Sequence, residues 1–138
     1  MPQLSAILLV DDDPSTNFLN EATLYPLRLT DTILTARNGV EAIDILRRLQ
    51  PAAAPDSPIL VLLDMAMPVM NGMDFLKAFK ELPAELQAAT VIIILAISMP
   101  SADLARLDDY PIAGMVSKPL TAEKVDTILQ LHFKGNAQ

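Results

Sequence analysis

Three aspartates in a row, Asp11, Asp12 and Asp13, follow the aliphatic run Ile7–Val10. A fourth, Asp64, directly follows Ile59–Leu63, and Lys118 stands two residues beyond Ile112–Val116. Carboxylates that share a small volume repel, and one is driven toward protonation unless a cation joins them. Oxygen donors suit a hard divalent cation. Mg²⁺ takes one or two carboxylates, keeps water molecules and adds phosphate oxygens; Mn²⁺ could substitute. With no Cys and a single, distant His132, zinc is disfavoured. A carboxylate held beside such a cation and a lysine can act as a nucleophile toward a phosphoryl group. The two positive charges would offset charge on the transferring oxygens.

For these side chains to meet, the elements that carry them must be neighbours. Five short apolar runs, Ile7–Val10, Ile33–Ala36, Ile59–Leu63, Val91–Ala96 and Ile112–Val116, read as strands covered on both faces. Helical patterns lie between them. Asp13 caps a first helix with Pro14 at its first position, running to about Leu24. Asn38 caps a second, with Glu41 three residues on in a capping-box-like arrangement and an apolar stripe of Val40, Ile43, Leu46 and Leu49. Gly72 opens a third, with Phe75, Leu76 and Phe79 inward, and Pro83 ends it or starts a separate turn. Ser101 or Ala102 opens a fourth, with Leu104 and Leu107 apolar. Thr121 caps the fifth, with Val125, Ile128, Leu129 and Leu131 on its buried side.

This alternation predicts an α/β fold: a five-stranded parallel sheet with right-handed crossovers and helices on both faces. The flavodoxin-like order 2-1-3-4-5 makes strands one and three neighbours, with the switch point between them. Ligands of open α/β sheets bind beyond the carboxyl ends of strands at that point. The order would therefore bring Asp11, Asp12 and Asp64 into one cleft. One domain is expected over residues 1–138, with a core over about 5–132 and a polar tail at 133–138; Pro51–Pro58 is a loop rather than a linker.

Composition narrows the function classes. The formal charge is −7, from 10 basic and 17 acidic residues, which argues against nucleic-acid binding and against a polybasic membrane anchor. No apolar run approaches the ~20 residues of a membrane span, and Met-Pro-Gln-Leu-Ser lacks the features of a signal peptide. The absence of Cys excludes disulfides and a thiolate nucleophile. A cytoplasmic domain is expected.

Three motifs carry a family resemblance. Leu8-Leu9-Val10-Asp11-Asp12-Asp13-Pro14 resembles the acidic motif of response-regulator receiver domains. Leu62-Leu63-Asp64-Met65-Ala66-Met67-Pro68-Val69-Met70-Asn71-Gly72 resembles their phosphoacceptor motif, and Ser117-Lys118-Pro119-Leu120 their Lys-Pro motif. They fall in family order and cover essentially the whole chain. The resemblance implies a two-component phosphorelay receiver of the single-domain type, not an enzyme beyond its own phosphorylation and dephosphorylation. It implies Asp64 as phosphoacceptor for a phosphohistidine donor. Asp12 would bind Mg²⁺ directly, Asp11 directly or through water, and Asp64 and the backbone carbonyl of Ala66 would be further protein ligands. Lys118 would pair with Asp64 or its phosphoryl group, and the Lys118–Pro119 bond is often cis in the family. Asp13 keeps its capping role. The implied partners are a sensor histidine kinase or histidine phosphotransfer protein, an output partner, and a second copy through the face of the fourth helix, fifth strand and fifth helix.

The sequence departs from the family at two switch positions. Receivers carry Thr or Ser at the end of strand four, where this chain has Ala96; Ser98 is two residues too late. The aromatic position three before Lys118 is Met115. Loss of the hydroxyl removes a charge-assisted hydrogen bond of about 1.5–3 kcal/mol. Two other readings follow. One is a pseudo-receiver, an interaction module with a vestigial site. The other is a haloacid-dehalogenase-like phosphohydrolase with Asp11 as nucleophile, which leaves the Asp64 motif unexplained. Flavin binding lacks a phosphate loop after strand one. Met65, Met67, Met70 and Met73 read as loop and core packing, His132 as a surface residue, and Lys80, Glu81 and Glu85 as a solvated face.

Overall fold

The computed structural model describes residues 4–49, 57–65, 71–97, 105, 107 and 109–132. Five strands form one sheet: β1 (Ala6–Val10), β2 (Ile33–Ala36), β3 (Ile59–Asp64), β4 (Thr90–Ala96) and β5 (Gly114–Ser117). All pairings are parallel, in the order β2-β1-β3-β4-β5. The helices are α1 (Pro14–Leu24), α2 (Gly39–Leu49), α3 (Gly72–Phe79), the short α4 (Ala84–Ala88) and α5 (Ala122–His132). Ala105 and Leu107 are also helical, and the start expected at Ser101 or Ala102 lies outside the described residues.

Every residue of β1 and β3 is buried, as expected of central parallel strands covered on both faces. The pleat divides them between two cores. Leu8, Val10, Val61, Leu63, Ile92 and Ile94 pack with Leu46 of α2 and with Phe75, Leu76 and Phe79 of α3. Ile7, Leu9, Leu60, Leu62, Ile93 and Leu95 pack with Leu24 of α1 and with Val125 and Ile128 of α5. Burying each large aliphatic side chain contributes about 1.5–3 kcal/mol, so the sheet is the rigid platform for whatever stands at its ends.

The helix starts follow their caps. Asp13 accepts from the Ser15 N–H at 3.0 Å and from Thr16 Oγ1 at 2.9 Å. Asn38 Oδ1 accepts from the Glu41 N–H, while the Glu41 carboxylate reaches back to the Arg37 N–H, one residue outside the expected box. Asn71 caps α3 through the Asp74 N–H, and Thr121 Oγ1 accepts from the Lys124 N–H at 3.2 Å. Pro83 starts a separate helix, α4.

Several expectations need correction. β5 begins at Gly114, after a turn in which the Ile112 N–H donates to the Tyr110 carbonyl at 2.9 Å. β3 extends through Asp64, which pairs with Leu95. Val40 and Leu131 are exposed, at 52% and 66%, since each lies off the stripe its helix buries. α1 runs against the usual pattern: Asn17 and Asn20 are buried while Phe18 and Leu19 face outward. Lys80, Glu81 and Glu85 are exposed, as expected, and Lys80 Nζ also lies 5.1 Å from the centre of the Tyr110 ring and 3.3 Å from the Asp109 carbonyl. His132 is half-buried, and its imidazole lies where a Cβ on Gly114 would come within 3.2 Å. Met65 and Met73 pack against the core as expected; Met67 and Met70 lie outside the described residues.

Candidate functional site

The carboxyl ends of β1, β3 and β5 carry the chemistry. Asp11 follows β1, and its backbone N–H donates to the Ala36 carbonyl at 3.0 Å, continuing the pattern of the β1–β2 ladder. Its carboxylate accepts from the Asp13 N–H at 3.0 Å. Its carbonyl accepts from Nδ2 of Asn17, also buried, at 2.9 Å. The turn is therefore held from both sides, Asp13 facing α1 and Asp11 facing the sheet.

Asp64 is the last residue of β3, only 8% exposed. One carboxylate oxygen each from Asp11, Asp12 and Asp64 lies within 4.8 Å of the others. Asp11 is buried and Asp12 exposed, so the cluster has one open side. Lys118 enters from β5. Its Nζ is 3.3 Å from Asp11 Oδ2 and 3.3 Å from Asp64 Oδ1. Its backbone N–H donates to the Ala96 carbonyl at 3.0 Å, and the Lys118–Pro119 peptide is cis.

The electrostatics follow from crowding. Burial pushes the Asp11 carboxyl up and Asp64 adds repulsion. The Asp13 N–H and Lys118 pull it back without cancelling the rise. Burial alone would lower the Lys118 ammonium, but attraction by Asp11 and Asp64 and the hydrogen bonds to both outweigh it, leaving its pKa raised. One cation among three carboxylates leaves excess negative charge, and the donors are all hard oxygens, so the residues present fit a divalent cation such as Mg²⁺.

Of the residues singled out in the sequence, Asp11, Asp12, Asp64 and Lys118 meet. Ala66 and Ser98 lie outside the described residues. Ala96 ends β4 opposite Ser117, one position past the Leu95–Asp64 pair, so it borders the site through its carbonyl. Met115 pairs with Ile94 and is 40% exposed. Two residues near the site were not anticipated: Asn17, six after Asp11, and Lys124, six after Lys118. A polar residue on the inward side of α1 and a lysine in the first turn of α5 were the available signals.

A doubly wound parallel sheet with a carboxylate cluster and a lysine at its carboxyl edge defines an α/β protein with an acidic pocket at the strand ends. A model of the response regulator receiver domain matches residues 7–130. The chain is 31% identical, over 85% of its length and 74% of the relative's, to the probable methanogenesis regulatory protein FilR2 of Methanothrix harundinacea. Its fold matches a two-component response regulator from Cytophaga hutchinsonii at TM-score 0.77 and 27% identity, covering 93% of this chain and 96% of that one. It matches the chemotaxis protein CheY4 of Vibrio cholerae at TM-score 0.72 and 25% identity, covering 92% and 97%.

The chain belongs to the response regulator receiver domain family. It spans 50% and 54% of the length of two further curated relatives it matches. Receiver domains are phosphoacceptors in two-component signalling, are generally signalling domains rather than enzymes, and bind Mg²⁺ at an acidic pocket. They generally work with histidine kinases or phosphotransfer proteins and with output domains. Among the described residues, no helix is long and apolar enough to cross a membrane.

Proposed function

We propose that the chain acts as one cytoplasmic receiver domain that takes a phosphoryl group onto Asp64 from a phosphohistidine on a sensor kinase or phosphotransfer protein. The observation that carries this reading is the convergence of Asp11, Asp12 and Asp64 within 4.8 Å, with Lys118 Nζ bridging Asp11 and Asp64. A carboxylate oxygen of Asp64 forms the new bond to phosphorus as the donor's N–P bond breaks, and the imidazole leaves with the bonding pair and takes up a proton. Asp11, Asp12, Asp64 and the Ala66 carbonyl would hold Mg²⁺, which would supply charge stabilisation to the phosphoryl oxygens when bound. Lys118 exchanges part of its contact with Asp64 for a phosphoryl oxygen. Signalling follows through altered partner binding, including a homodimer through the face to which β5 and α5 contribute.

The test is incubation with Mg²⁺ and a small phosphodonor, followed by intact-mass measurement. One phosphoryl adduct, absent from Asp64→Asn and abolished by EDTA, is expected. No adduct with any donor would overturn the reading.

Ala96 and Met115 favour a second reading, a pseudo-receiver that binds partners without phosphorylation. A Mg²⁺ titration separates the two, because a vestigial site binds weakly or not at all. Where Asp64 is phosphorylated, Ala96 provides no hydroxyl for the phosphoryl group, and coupling to the β5–α5 face is weak. Large amide shift changes over β5 and α5 on phosphorylation would contradict that.

A further inference from the structure

Lys118 has to be held between Asp11 and Asp64, yet it sits on the short loop between β5 and α5. That loop is gripped from α5 by a second lysine. Lys124 Nζ donates to the Ser117 carbonyl at 2.9 Å and to the Pro119 carbonyl at 2.9 Å. These are the carbonyls of the residues immediately before and after Lys118. The Lys118 N–H is itself bound to the Ala96 carbonyl at 3.0 Å, and the buried Leu120 anchors the loop to the core shared with α5. The backbone around Lys118 is thus fixed on three sides.

The placement of Lys124 is locally unfavourable. It is the third residue of α5, where a cation faces the positive end of the helix dipole. Two carbonyl oxygens aimed at one ammonium offset that cost, since hydrogen bonds to a charged donor are the stronger kind. A flexible ammonium spanning both carbonyls closes the loop through main-chain contacts.

We propose that Lys124 is a positioning residue for Lys118: it clamps the flanking carbonyls and so fixes the ammonium that bridges Asp11 and Asp64. The importance of that position for phosphoryl transfer rests on the reading of Asp64 given above. The clamp itself does not.

The experiment compares the full chain with Lys124→Met, Lys124→Arg, Lys118→Met and the Lys124→Met/Lys118→Met double variant. The first readout is the NMR signature of the Lys118 ammonium in metal-free protein. Lys124→Met should lose the restrained, ion-paired signal and Lys124→Arg should keep it, because a guanidinium can also serve two carbonyls. The second readout is the rate of adduct formation at saturating Mg²⁺ and phosphodonor. Lys124→Met should slow it by about ten- to a hundredfold, as small misplacements near a reacting centre do, and Lys124→Arg should restore it. The double variant should be no slower than Lys118→Met alone.

An unchanged Lys118 signal in Lys124→Met overturns the proposal. So does equal slowing by Lys124→Met in both backgrounds, which marks a general loss of structure. If the wild-type chain shows the restrained Lys118 signal but forms no adduct, the phosphoacceptor reading fails and the NMR comparison still decides the clamp.

Discussion

Lys118 Nζ lies 3.3 Å from Asp64 Oδ1 although 54 positions separate them in the chain. The same ammonium lies 3.3 Å from Asp11 Oδ2, 107 positions away. Removing it as Lys118→Met leaves two buried carboxylates face to face. Without metal, the variant should lose roughly 1–3 kcal/mol. That is less than a fully buried pair costs, because the Lys118 side chain is 23% exposed and partly screened by water. Urea melts with and without Mg²⁺ check this: the loss should shrink when the cation is added.

The raised Asp11 pKa sets a pH dependence. A carboxyl raised on folding means that the folded state holds its proton at pH values where the unfolded chain has released it. The stabilisation this gives is complete below the ordinary carboxylate value and is lost as pH rises through the higher folded value. Asp11→Asn escapes that loss. The metal-free variant should therefore melt above wild type at neutral pH, by about 4 °C per kcal/mol gained. The gap should close as pH falls through that window, and should invert in saturating Mg²⁺.

Cation binding should itself be visible as stability. A ligand that binds only the folded chain stabilises it by about 2.7 kcal/mol at a hundred times its Kd. Mg²⁺ should raise the melting temperature of wild type, EDTA should reverse the shift, and Asp12→Ala should abolish most of it. Asp12 is exposed, so the substitution should leave the metal-free melt nearly unchanged.

Gly72 begins α3 and its N–H donates to the Met65 carbonyl at 3.1 Å. A Cβ at Gly72 would sit 2.4 Å from Met65 Sδ and 2.7 Å from Met65 Cα. The side chain can turn away but the backbone atom cannot. Gly72→Ala should cost about 1–3 kcal/mol in urea titration. It should also slow adduct formation, because the backbone that must shift adjoins Asp64.

Asn17 donates to the Asp11 carbonyl while its own Oδ1 is buried with no hydrogen-bond partner among the described residues. Asn17→Ala should cost about 1–3 kcal/mol by orphaning that carbonyl. Asn17→Asp should cost more, since it puts a charge where the donor stood and enlarges the acidic cluster. The two substitutions are compared in one melt series, where equal losses would contradict the predicted order.

The strand runs were legible because central parallel strands are apolar throughout, and β1 and β3 are buried at every position. Asp13, Asn38 and Thr121 were legible as caps because their side chains answer to backbone donors two or three residues away. Asp11, Asp12, Asp64 and Lys118 were legible because a charge just past an apolar strand stands at the carboxyl edge of a parallel sheet, where ligands bind. Lys124 and Asn17 were not. Each acts on main-chain carbonyls five to seven residues away across a strand–helix junction, so a buried-side polar residue and a first-turn lysine were visible as oddities while their partners were not.

The chain's sequence by itself determined the alternation of elements and which charged residues follow the strands. Both follow from local periodicity and from which side chains can be buried, whereas the strand order was an expectation from the fold class that the sheet itself bears out. Only the tertiary structure decided how those charges are held. The 3.3 Å bridge from Lys118, the buried turn at Asp11 and the grip of Lys124 depend on parallel strands stacked in register. Register is a property of the whole packed sheet, where one residue of slip would exchange the two faces of a strand.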